Sequence, residues 1–257
     1  MLKTYLATQM SWNFPLLFFL ISLSIFYSFI CMLLRKKTIP PIQPILFFTG
    51  IILLFTLVGS PLLSISYLSF SLHMIQMSII FFIVPPLLLL GIPKVEMNSN
   101  RFTKMIHTLY LRPLYALIAF AILFLLYHFP IIFTFLSQDS FWQKTYLLVL
   151  FILAIFMWAP IATNWRKKDT INQQKFKKLS SLLIMPACVF FMISALMQNM
   201  NNSYMSDIAA VICFPADYFQ ILPSPFNTKY DQMASGIFMI SIHKLGIVVT
   251  SKLHHYV

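Results

Sequence analysis

An imidazole and a thioether stand four residues apart at His73 and Met77 within an apolar stretch, so on a helix they share one face. Metal-binding or ionisable side chains at membrane depth are rare and tend to mark function. Two comparable groups lie further along: His128 in Tyr127-His128-Phe129-Pro130, and Met239, four residues before His243. Imidazole and thioether without thiolate suit Cu(I); magnesium and calcium need oxygen cages, and zinc more often takes His, Cys or carboxylate. Copper binding, as Cu(I), is therefore the chemistry these residues can support.

Each residue also admits a structural reading. His73 can be hydrogen-bonded between helices with Met77 as packing filler, and His128 can bond a carbonyl freed by Pro130. His243, beside Lys244, can face a polar seam. Asp231-Gln232 precedes the last apolar run, where an acid caps a helix and complements its dipole as readily as it contacts a metal or partner. Met197, Met200, Met205 and Met233 lie near the same surface as a weak entry path. His107 and the pair His254-His255 read as solvated, and Trp158-Ala159-Pro160 reads as an interfacial aromatic before a helix-ending proline.

The elements that must position these groups follow from composition. The 257 residues are 60% hydrophobic and 9% charged, with a mean hydropathy of +0.84, which is the composition of an integral membrane protein rather than a soluble domain. A hydrocarbon core of about 30 Å needs about 20 apolar residues per crossing. Seven runs qualify, over about 14–34, 44–60, 69–91, 113–136, 144–163, 180–198 and 234–251. The fold class is all-α, a seven-transmembrane-helix bundle forming one polytopic membrane domain over 1–257, with an external segment at about 199–233. Pro85-Pro86 should bend the third run, because prolines remove backbone donors and clash with the preceding turn.

The net charge of +12 is an orientation signal, not a nucleic-acid patch. Thirteen of eighteen positive charges fall in alternate loops: Arg35, Lys36 and Lys37; Lys94, Arg101, Lys104 and Arg112; Arg166, Lys167, Lys168, Lys175, Lys177 and Lys178. The opposite segments hold Lys3, Lys144 and Lys229 with four of the six acids. The N-terminus is thus expected outside and the C-terminus in the cytoplasm. The first run is expected to be retained, since its basic residues follow it rather than precede it.

This topology assigns depth. At 1.5 Å per residue His73 sits about 6 Å in from the outer surface, His128 about 12 Å, and Met239 with His243 about 8 to 14 Å. Three helices therefore bring soft ligands to the outer half of the membrane. Cys31, Cys188 and Cys213 are widely spaced and odd in number, so neither a disulfide framework nor a thiolate clip is expected. No nucleotide loop, electron-transfer motif or nucleophile-base pair is present, and the chain is not expected to be an enzyme.

The chain resembles the Bacillus-type cytochrome c oxidase assembly factor CtaG family, polytopic proteins distinct from the single-span copper chaperone that shares the name. The resemblance lies in Ser71-Leu72-His73-Met74-Ile75-Gln76-Met77, in Val84-Pro85-Pro86-Leu87-Leu88 with Gly91-Ile92-Pro93, and in Tyr127-His128-Phe129-Pro130. It continues in Met157-Trp158-Ala159-Pro160 and in Asp231-Gln232 followed by Gly236 and Met239. Met77 keeps a soft ligand where some members carry His, and Ser235 replaces a glycine. The resemblance implies a multi-pass protein of the bacterial cytoplasmic membrane that assists maturation of a haem-copper terminal oxidase. It would help to supply copper to the oxidase's buried copper centre. His73, Met77 and His128 would be ligands, with Met239 and Asp231 as second-tier candidates; partners would be an oxidase subunit, an extracytoplasmic copper donor and the lipid bilayer. Three alternatives remain open: a copper permease, whose path would continue inward through Met157 and Met185, a haem-binding cytochrome with His73 and His128 as axial ligands, and a metal-free assembly scaffold.

Overall fold

All regular secondary structure among the described residues is helical, as a chain crossing hydrocarbon requires when each backbone polar group must be satisfied within its own segment. The computed structural model describes residues 12–34, 40–66, 69–93, 113–129, 132, 135–136, 139–162, 173–197, 229–254 and 256. In chain order the helices are α1 (Phe14–Leu33), α2 (Ile42–Leu54), α3 (Leu62–Ser66), α4 (Phe70–Phe82), α5 (Val84–Gly91), α6 (Pro113–Tyr127), α7 (Ser140–Ala162), α8 (Gln173–Met197) and α9 (Lys229–Leu253). A π-helical turn, Phe55–Gly59, extends α2.

Among the described residues, five stretches are long and apolar enough to cross a membrane: Phe14–Leu33, Ile42–Gly59, Phe70–Gly91, Phe141–Ala162 and Tyr230–Leu253. α6 is apolar but only 15 residues long, about 22 Å. It stops well short of the expected residue 136, because Pro130 has no N–H to continue the ladder. The chain instead tightens into i−3 bonds, His128 N–H to Leu125 O and Phe129 N–H to Leu126 O, both at 3.0 Å. α7 starts earlier than expected, at Ser140, because Asp139 caps it by accepting the Phe141 amide at 2.8 Å. The external segment expected near 199–233 lies outside the described residues as far as Thr228, and its last five residues form the first turns of α9.

The α4–α5 stretch is the central element: 78% of its apolar window is buried, against 11% for α1. α1 buries only Leu20 and Tyr27. Tyr27 fastens it inward, donating to the Gly91 carbonyl at 2.7 Å and stacking on Phe47 at 3.8 Å. Gly91 admits this contact because a Cβ there would sit 2.6 Å from the Phe47 backbone nitrogen. α5 thus packs backbone-close on α2, α6 pairs with α7, and α9 packs between α4 and α8.

The expected bend falls at Ile83, between α4 and α5. Pro85 and Pro86 withhold the amides that would bond the Phe81 and Phe82 carbonyls. Other helices meet both oxygens. The Trp158 indole of α7 donates to Phe81 O at 3.0 Å, and Gly246 of α9 comes so near Phe82 O that a Cβ would lie 2.5 Å from it. Trp158 is therefore fully buried rather than interfacial, and Pro160 lies within α7, which runs on to Ala162.

Candidate functional site

α4 carries His73 and Met77, and its first turn is held from α9. Asp231, buried in the first turn of α9, accepts the Ser69 hydroxyl on both carboxylate oxygens, at 3.1 and 2.9 Å, and the Phe70 amide at 3.0 Å. Its backbone carbonyl takes the Ser71 hydroxyl at 3.0 Å. A carboxylate on the free amides of a helix N-terminus forms charge-assisted bonds and complements the dipole. The capping role considered for Asp231 is thus exercised on α4 rather than on its own helix. His73 follows directly, its amide bonded to Ser69 O at 3.0 Å.

His128 lies in the turn that ends α6. Its Nδ1 faces the Phe124 carbonyl rather than one freed by Pro130. A carbonyl accepts only, so Nδ1 carries the proton and Nε2 the lone pair. The ring stands edge-on to Phe124 at 4.6 Å, and Phe120 and Phe124 meet Phe81 and Phe82 of α4 at 5.7–6.0 Å. This aromatic packing brings the end of α6 against α4. His73 and His128 lie within electrostatic reach of one another, and both ring nitrogens of His73 are shielded from solvent.

Met77 and Met239 are both in the main core, 3% and 0% exposed, together with Met74, Met157, Phe124 and Tyr127. Gln76 lies between the two α4 candidates and donates to the Leu57 carbonyl in the π-helical turn, which ties α4 to α2. Among the described residues no three His, Cys, Asp or Glu side chains form a metal-binding group. Any metal held here needs thioether as well as imidazole, a donor set that favours a soft monovalent ion. Met233 is half-buried on α9; Met200, Met205 and His107 lie outside the described residues, as does the side chain of Met197.

Sequence pattern alone did not place Trp158 and His243 in the core. For Trp158 a signal was present: Pro85 frees a carbonyl in mid-membrane, and a buried donor must answer it. His243 is 3% exposed and lies against Phe82 at 4.8 Å and Trp158 at 6.1 Å, while its neighbour Lys244 is exposed.

Neither the curated proteins nor the solved structures include a match to the chain. The model of the cytochrome c oxidase caa3 assembly factor family (Caa3_CtaG) matches residues 25–253, from the second half of α1 to the last residue of α9. With the clamp, the broken helix and the His/Met face all inside that match, the chain belongs to the cytochrome c oxidase caa3 assembly factor family.

Proposed function

We propose that this protein assists assembly of a haem-copper oxidase by holding Cu(I) transiently as cargo between His73 and His128, with Met77 completing the site and Met239 beside it in the core. What supports the reading is that His73 and His128, on separate helices, lie within electrostatic reach of one another. One of them has its proton fixed on Nδ1, which leaves Nε2 as the ligand atom. Few, exchangeable ligands suit a donor that must release its ion, and thioethers are of that kind. Asp231 serves the site by fixing the start of α4, with its carboxylate already engaged.

The chain forms one seven-span domain of the bacterial cytoplasmic membrane, with its N-terminus outside, its C-terminus inside and no catalysis of its own. α6 and α8 supply the two crossings beyond the five long apolar stretches, and the basic loops orient them. The ligands then face the side from which an extracytoplasmic donor would deliver copper. The test is Cu(I) competition on detergent-purified protein, with His73→Ala and His128→Ala as variants. Stoichiometric copper lost in both supports the donor; no copper in the wild type replaces it with a metal-free scaffold for the oxidase subunit, and a Soret band in the purified protein replaces it with a haem-binding cytochrome.

A further inference from the structure

α4 and α9 run parallel, since Asp231 meets Ser69, Phe70 and Ser71 at one end and His243 and Gly246 meet Phe82 further along. With the clamp as a common origin, 1.5 Å per residue places His73 about 6 Å along α4, Met77 about 12 Å along α4, Met239 about 12 Å along α9, and His243 about 18 Å along α9. Imidazole, two thioethers and imidazole therefore follow one another down a single helix pair.

The lower end of this ladder has unmet valence. His243 Nε2 is buried and has no hydrogen-bond partner among the described residues. Ser78 Oγ, on the fully buried α4 position one turn before Phe82, has none either, so the two do not bond each other. The Trp158 indole, its ring 6.1 Å from that of His243, is committed to Phe81 O, and Phe82 meets His243 only through its ring. Leaving a buried polar atom unsatisfied costs about 1–3 kcal/mol. Lys244 is exposed, although its charge still acts on the His243 imidazole. Met239, one turn earlier and wholly buried, shares the helical face of His243.

We propose that Met239 and His243 form a second Cu(I) station, deeper than the first, with Trp158 nearby. The inference rests on the reading that this chain handles copper, and it turns the single outer site into a two-station path along α4 and α9. A soft cation meets here an imidazole lone pair and a thioether, with the Trp158 ring close enough to report on it. A water molecule would satisfy His243 but gain nothing from Met239.

The experiment uses full-length protein in which Trp12, Trp142 and Trp165, the other three tryptophans, are changed to Phe, leaving Trp158 as the reporter. Cu(I) is added against a competing chelator, with Ag(I) as a redox-inert control, and copper content is read with Trp158 emission. The expected result is a second metal equivalent that quenches Trp158; His243→Gln should remove both the second equivalent and the quenching and spare the first. His73→Ala should remove the first and leave the quenching by added ion. Met239→Leu, close to isosteric and free of thioether, should weaken the second equivalent and serves in place of His243→Gln if that variant fails to fold. One copper lost with His73 and indifferent to His243, or quenching unchanged in His243→Gln and Met239→Leu, overturns the second station and leaves the outer site standing. No copper in any form of the protein overturns both.

Discussion

The carboxylate of Asp231 caps a helix that begins 161 residues earlier in the chain, accepting the Phe70 amide at 3.0 Å. That bond and the two Ser69 hydroxyl contacts set where α4 starts, and with it the place of His73 one turn on. Asp231→Ala should lower stability by about 2 kcal/mol, the scale for loss of a buried, charge-assisted cap, read as thermal unfolding in detergent by circular dichroism. Asp231→Asn keeps an acceptor and should lose less. In both variants copper stoichiometry should persist, with affinity reduced; complete loss of copper in the well-folded Asn variant would make Asp231 a ligand.

Trp158→Phe removes the donor that answers Phe81 O, and should cost about 1–3 kcal/mol. Pro85→Ala supplies the missing amide, so the carbonyl can be taken within its own helix. The Trp158 substitution should therefore be milder in the Pro85→Ala background, and a double-mutant cycle measures the difference. Equal losses in both backgrounds would mean that Trp158 acts through packing alone.

Glycine substitutions should separate by what they strike. A Cβ at Gly246 would lie 2.5 Å from Phe82 O, and one at Gly91 2.6 Å from the Phe47 backbone, whereas at Gly50 the nearest atom is a Leu88 methyl at 2.9 Å. A methyl rotates away and a backbone does not. Gly246→Ala and Gly91→Ala should each lose about 1–3 kcal/mol, Gly50→Ala distinctly less, in the same unfolding assay.

If His73 and His128 act on one ion, removing either should lose most of the affinity and removing the second should add little. The free energies of the His73→Ala, His128→Ala pair should be non-additive by about 1 kcal/mol or more, measured by chelator competition. Additive losses would assign the imidazoles to separate ions. In cells that depend on this protein, each single variant should lower oxidase activity at unchanged protein level.

The helices and the broken third run were legible in the sequence because they depend on local properties: apolar length, and prolines that withhold amides. The shared face of His73 and Met77 was legible for the same reason. The end of α6 was misjudged by apolar content, which continues to Leu136 while the hydrogen-bond ladder stops before Pro130. Asp231 was recognised as a cap but its partner was not, since Ser69 and Phe70 become neighbours only once α9 lies parallel to α4. Trp158 resembled an interfacial residue because depth was read from nearness to a loop, while the unmet carbonyl at Phe81 lies on another helix.

Translation runs from α1 to α9, so the broken helix is made long before the groups that complete it. Until α7 arrives, Phe81 O has no indole; until α9 arrives, Phe82 O has no glycine against it and the first turn of α4 has no carboxylate. For Phe81 O, in the middle of its apolar stretch, that vacancy costs several kcal/mol in hydrocarbon. The packing around α4 is therefore finished last, by α9: a chain cut short before Lys229 would keep the indole on Phe81 O but would leave the first turn of α4 without its carboxylate.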